Sequence, residues 1–100
     1  MTPGMTVEEV CVVLADGGAL YPPTNFVRDD DEEFKPVDPE RSEGLTWALP
    51  EFSRLSQASQ ESVKTIVIQR RGWGFFGFDE FCLYFDRKDK LVAHVVQHFN

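Results

Sequence analysis

Val63-Lys64-Thr65-Ile66-Val67-Ile68, Phe78-Asp79-Glu80-Phe81-Cys82-Leu83-Tyr84-Phe85 and Leu91-Val92-Ala93-His94-Val95-Val96-Gln97-His98-Phe99 follow one another at the C-terminal end of the chain. Each run is rich in β-branched and aromatic side chains, which suit a pleated, half-buried surface. Turn residues separate them: Gly72-Trp73-Gly74-Phe75-Phe76-Gly77 after the first, Asp86-Arg87-Lys88-Asp89-Lys90 after the second. The pattern predicts a three-stranded antiparallel meander over residues 62–99. Strand alternation puts Phe81, Leu83 and Phe85 on one side, where helices should cover them, and Cys82 and Tyr84 on the other.

Toward the N-terminus, Thr6 and Glu9 have the spacing of a capping box, in which side chains satisfy two orphan backbone donors. Val7, Val10, Cys11 and Leu14 then form one apolar stripe, predicting a helix over 6–16 that stops near Gly17-Gly18. Cys11 lies in that stripe with no evident basic neighbour, so it reads as a small core residue rather than a nucleophile. If this helix covers the Phe81 side, the sheet separates Cys11 from Cys82, and a disulfide is not expected. Tyr21-Pro22-Pro23 cannot continue the helix, because proline has no N–H to donate.

The stretch from Arg28 to Glu43 carries eight acids against three bases, or five of the seven net negative charges. Packing such side chains together would desolvate unpaired charge, so an exposed acidic loop is expected over 28–44. Within it, Asp38 and Pro39 can cap and begin one helical turn. Trp47, Leu49, Phe52 and Leu55 look like core anchors, Pro50 suits the first turn of a short helix over 50–56, and residues 53–62 read as a polar connection into the first strand. The expected fold class is therefore α+β: one domain of 100 residues, two-layered, with two helices packed on one face of a three-stranded antiparallel meander.

A net charge of −7 and a pI near 4.7 argue against nucleic acid as a partner, since that needs a basic face. No run has the length of a membrane span and no signal peptide opens the chain. A membrane association is expected only if an N-terminal lipid anchor has been removed. The acidic run has oxygen ligands but neither the central glycine nor the spacing of an EF-hand. His94 and His98 share a strand face about 13 Å apart, too far to chelate one metal. Neither a metal nor a cofactor is expected, and nothing suggests that a Ser/His/Asp or Cys/His set converges; the chain reads as no enzyme.

Gly72-x-Gly74-x-x-Gly77 spells the dinucleotide-binding glycine pattern, but a strand-like segment follows it where that motif needs a helix. As a hairpin loop it has two readings. Its glycines supply positive φ while Trp73, Phe75, Phe76 and Phe78 cap the core, or some of the rings stand out as anchors for a partner.

Gly4-Met5-Thr6-x-x-x-Val10, and later Phe81-x-Leu83-x-Phe85-Asp86 with Leu91-Val92 after a polar turn, resemble the helix start and closing hairpin of small BamE-like (SmpA-type) bacterial envelope lipoproteins, which share the β-lactamase-inhibitor-protein-like fold. The resemblance covers about half the chain, at its two ends. The acidic insertion and the lack of a lipid-bearing N-terminal cysteine depart from the family. The resemblance implies a non-enzymatic protein-binding role as an envelope accessory or assembly factor. Its compartment would be the bacterial periplasm or outer membrane if a signal segment was trimmed, and otherwise the cytoplasm. The expected contact residues are Trp73, Phe75, Phe76, Tyr84 and His94, on the hairpin and an open sheet face. The alternative is a cytosolic acidic inhibitor or immunity-type protein that covers a partner's basic site with Asp29, Asp30, Asp31, Glu32 and Glu33.

Overall fold

The order of elements is α1 (Val7–Ala15), β1 (Ala19–Leu20), β2 (Thr24–Arg28), β3 (Phe34–Pro36), α2 (Leu49–Ser53), α3 (Gln57–Ser62), β4 (Val63–Gly72), β5 (Phe78–Asp86) and β6 (Leu91–Phe99). The computed structural model describes residues 1–29, 33–42 and 45–99. All strands join one antiparallel sheet in the order β3-β2-β4-β5-β6, with β1 also lying beside β4. The fold is thus α+β around an antiparallel sheet, and β4-β5-β6 form the meander that the β-branched runs predict.

The sheet is wider than expected. Ala19–Leu20 and Thr24–Arg28 line up in turn along the free edge of β4, interrupted at Tyr21-Pro22-Pro23, where two residues lack the ladder donor. The expected acidic loop over 28–44 is largely structured among its described residues. β2 and β3 pair across it, and Asp29 N–H donates to the Glu33 carbonyl (3.2 Å). Asp38 caps the 3₁₀ turn Pro39–Arg41, its carboxylate accepting from Glu40 N–H at 3.1 Å. Phe34 explains the ordering: its ring meets Phe52 edge-on at 5.4 Å, so one apolar residue within the charged stretch draws the chain onto the core.

Thr6 caps α1, accepting from Glu9 N–H at 3.2 Å. Val10 and Leu14 are buried against Phe81, Leu83, Phe85 and Leu91, the face that alternation assigned to the helix. The other face is not open. Phe26, Val63, Ile66, Ile68, Cys82 and Tyr84 form a second cluster under Ala48, with Leu45, Trp47, Phe52 and Leu55 packed on it. Helices therefore lie on opposite sides of the sheet, not on one. Of the expected anchors, Trp47, Phe52 and Leu55 cover the Tyr84 side while Leu49 is exposed. They do so because that side is as apolar at its centre as the first, and α1, about 14 Å long, is already committed to Phe81 and Leu83. Tyr84 is 0% exposed and its hydroxyl donates to the Ala48 carbonyl at 3.0 Å. Burial pushes its pKa up, and pushes the Cys82 thiol up to about 12. Both cysteines are free and the sheet stands between them.

Residues 57–62 are helical rather than a plain connection. Ser56 caps α3 by accepting from Ser59 N–H at 3.2 Å. The local signal was a serine N-cap without an apolar stripe behind it, and none of the α3 residues is buried.

Candidate functional site

The hairpin between β4 and β5 sets the geometry at one end of the sheet. Trp73 N–H donates to the Gly77 carbonyl (3.3 Å) across the 3₁₀ turn Gly74–Phe76, and Gly74 (φ +82°) and Gly77 (φ +123°) supply the backbone angles that side chains resist. The two aromatics described here differ in kind. Trp73 is half-buried and its indole N–H donates to Asp79 at 3.3 Å, whereas Phe75 is fully exposed. The side chain of Phe76 lies outside what the structure describes.

Two charge pairs flank the turn, one per face. Arg71 and Asp79 are cross-strand partners, as are Arg70 and Glu80. The sequence carries the signal for both, a basic doublet and an acidic doublet equally far from the glycine-aromatic loop, but it shows only once the hairpin register is fixed. On the α1 side, Asp79 is 5% exposed. It accepts from Arg71 Nη2 (2.8 Å) and from the Trp73 indole, and His98 Nδ1 makes a close contact with the same carboxylate. Arg71 also donates to the Leu14 carbonyl at the end of α1 (3.3 Å) and lies over the Phe81 ring. Burial alone would raise the Asp79 pKa, but the hydrogen bonds from Arg71 and His98 outweigh it and the net shift is downward. Asp79 therefore ties together helix, hairpin and last strand.

On the other side, Glu80 is 3% exposed and accepts from Arg70 Nε at 2.8 Å. Arg70 also lies over the Phe78 ring, which stacks on Phe99 with centroids 4.9 Å apart. Beside them opens a groove of about 500 Å³ walled by Tyr21, Pro22, Ile68 and Phe78, with Arg41 and Arg70 at its rim. Arg41 is held by the Pro23 carbonyl (3.4 Å) and by Asp38 (3.9 Å). The groove was missed in the sequence because its lining comes from the β1–β2 connection, β2, the 3₁₀ turn, β4 and β5.

The expected site residues are thus split. Trp73 and Phe75 share the hairpin end. Tyr84 is in the core and is removed from any contact surface. His94 pairs with Leu83 on the α1 side of the sheet, not on the Tyr84 side, and burial lowers its pKa. Of the acidic set, Asp29 forms an ion pair with Lys35 at 2.5 Å, a hydrogen bond that raises the lysine's pKa, and Glu33 is exposed. Asp30, Asp31 and Glu32 lie outside the described residues. Among the described residues no His, Cys, Asp and Glu cluster could hold a metal ion, and no helix is long and apolar enough to cross a membrane.

No family model, no curated protein and no solved structure matches this chain.

Proposed function

We propose that this chain is a non-enzymatic protein-binding module that engages its partner with the β4–β5 hairpin end, Phe75 serving as the anchor and the Tyr21–Phe78 groove as the adjoining seat. The observation that carries the reading is the contrast within the turn: Trp73 is pinned to Asp79 while Phe75, on the same short turn, is fully exposed. Exposure of a large ring on a fixed support presents an anchor with little ordering cost left to meet on binding. The two guanidinium groups at the groove rim favour a partner segment with an acidic or carbonyl-rich edge beside its apolar pocket. The envelope accessory role implied by the BamE-like resemblance belongs to this proposal as its setting.

Phe75→Ala tests it. Burying a phenylalanine in a partner pocket contributes about 1.5–3 kcal/mol, a loss of roughly 10- to 100-fold in affinity. The expected result is that a partner captured by the wild-type chain, once purified, binds Phe75→Ala at least tenfold more weakly by titration calorimetry, with the melting temperature unchanged. Equal affinity for both chains sinks the reading.

A second reading rests on charge concentration: the chain would act as an acidic inhibitor or immunity-type protein through Asp29 to Glu33. Partner binding would then weaken steeply with salt and survive Phe75→Ala.

A further inference from the structure

The two edges of the sheet are built differently. β3 is three residues long, ends in Lys35-Pro36, and sits in the part of the chain that holds most of the net negative charge. Short length, lysine and proline are the devices by which an edge is kept from pairing with another chain. β6 has none of them. It runs nine residues with no Asp, Glu, Lys, Arg, proline or glycine, and among the described residues β5 is its one neighbouring strand.

The outer side of β6 already accepts a strand-like partner where the chain offers one. Leu91 N–H donates to the Met5 carbonyl (2.8 Å), Gly4 N–H donates to the Leu91 carbonyl (2.7 Å), and Thr6 forms an isolated bridge with Lys90. That contact reaches only the start of the strand. Ala93 to Phe99 remain along the edge, including Val96 at 40% and Phe99 at 38% exposure.

We propose that two copies of this chain associate as a symmetric dimer by antiparallel pairing of β6 with β6 of the second copy, forming one continuous sheet. Three observations select a second copy as the occupant. The exposed stretch is its own complement: pairing centred on Val96 sets Val96 against Val96, and Ala93 against Phe99, over the whole uncovered length. Charge favours it too, because Ala93 to Phe99 contain no Asp, Glu, Lys or Arg, so two chains of charge −7 meet along stretches without formal charge. Finally, with β3 guarded, edge pairing cannot propagate into a fibre and closes at two copies. A seven-residue pairing is at the small end of specific interfaces, so the dimer is weak and concentration-dependent.

Sedimentation equilibrium of the wild-type chain from low to high micromolar concentration is the first measurement, repeated on Val96→Lys, which places like charges opposite each other at the two-fold axis. Expected are a reversible monomer–dimer equilibrium and a dissociation constant raised at least about tenfold in Val96→Lys, with an unchanged circular dichroism spectrum. As an independent measurement, Val96→Cys in a Cys11→Ala background cross-links to a covalent dimer under mild oxidation, because directly paired strand positions fall within disulfide reach. Val12→Cys in the same background, on the exposed side of α1, cross-links far more slowly. A wild-type chain that stays monomeric throughout overturns the proposal, as does a dimer equally tight in Val96→Lys. Should Val96→Lys fail to fold, a Val96→Cys chain that cross-links no faster than Val12→Cys overturns it.

Discussion

Replacing Asp79 with asparagine keeps the shape of the side chain and removes the charge on which the hairpin end depends. Asp79 is 5% exposed and its carboxylate receives Arg71, Trp73 and His98. An asparagine can still accept at one oxygen, but its NH₂ then faces a donor, and the Arg71 guanidinium loses its counter-charge in a site where its side chain is 20% exposed. Breaking a fully buried pair from one side costs about 3–5 kcal/mol. Arg71 keeps some contact with water, so we expect about 2–3 kcal/mol here, which for a chain of this size lowers the melting temperature by roughly 10–20 °C. His98→Ala should cost less than about 1 kcal/mol, because the imidazole side chain is 68% exposed and solvent screens its share of the pair.

Urea unfolding followed by circular dichroism and tryptophan fluorescence measures both. The pH dependence gives a second check on Asp79. Its folded pKa is depressed, so its stabilisation is fully present above the unfolded value, about 3.9, and is lost as pH falls through the lower folded value. Wild-type and Asp79→Asn stabilities should therefore converge below that range and differ most above it. A loss under about 0.5 kcal/mol at neutral pH, the scatter of ordinary surface substitutions, or a difference that does not narrow in acid, would refute the cluster's role.

Tyr84→Phe removes one of the two donors to the Ala48 carbonyl, which keeps the Phe52 N–H at 3.0 Å, and should cost about 0.5–1.5 kcal/mol in the same urea assay. No measurable loss would mean that the segment over the second face is not held as described. The Cys82 thiol, buried and raised to about 12, should resist a thiol reagent at mildly alkaline pH until the chain unfolds; labelling in the native state would contradict a closed second face. Phe75→Ala should leave stability within about 0.5 kcal/mol of wild type, since the ring is fully exposed.

The elements that the sequence made legible share one property: the information is local. Thr6 and Glu9 cap α1, Asp38 and Pro39 start the 3₁₀ turn, and the β-branched runs form β4, β5 and β6, because capping, proline geometry and side-chain alternation act within a few residues. Alternation also separated Phe81, Leu83 and Phe85 from Cys82 and Tyr84 correctly. It could not say what lies above each set.

Two apolar faces compete for two covers, and nothing near Tyr84 in the chain records that Trp47 and Phe52 will close over it. That choice, and with it the loss of the expected open face, is made by long-range packing once α1 occupies the other side. The widening of the sheet by β1, β2 and β3 has the same origin, since an isolated Thr24–Arg28 or Phe34–Pro36 stretch has no preference strong enough to become a strand without β4 or Phe52 to receive it. The candidate site shows the division most sharply. Residue types alone set the glycine turn and its rings, whereas the pinned Trp73, the exposed Phe75 and the meeting of Asp79 with His98 depend on strand register, which fixes neighbours across a sheet that the linear order of residues does not name.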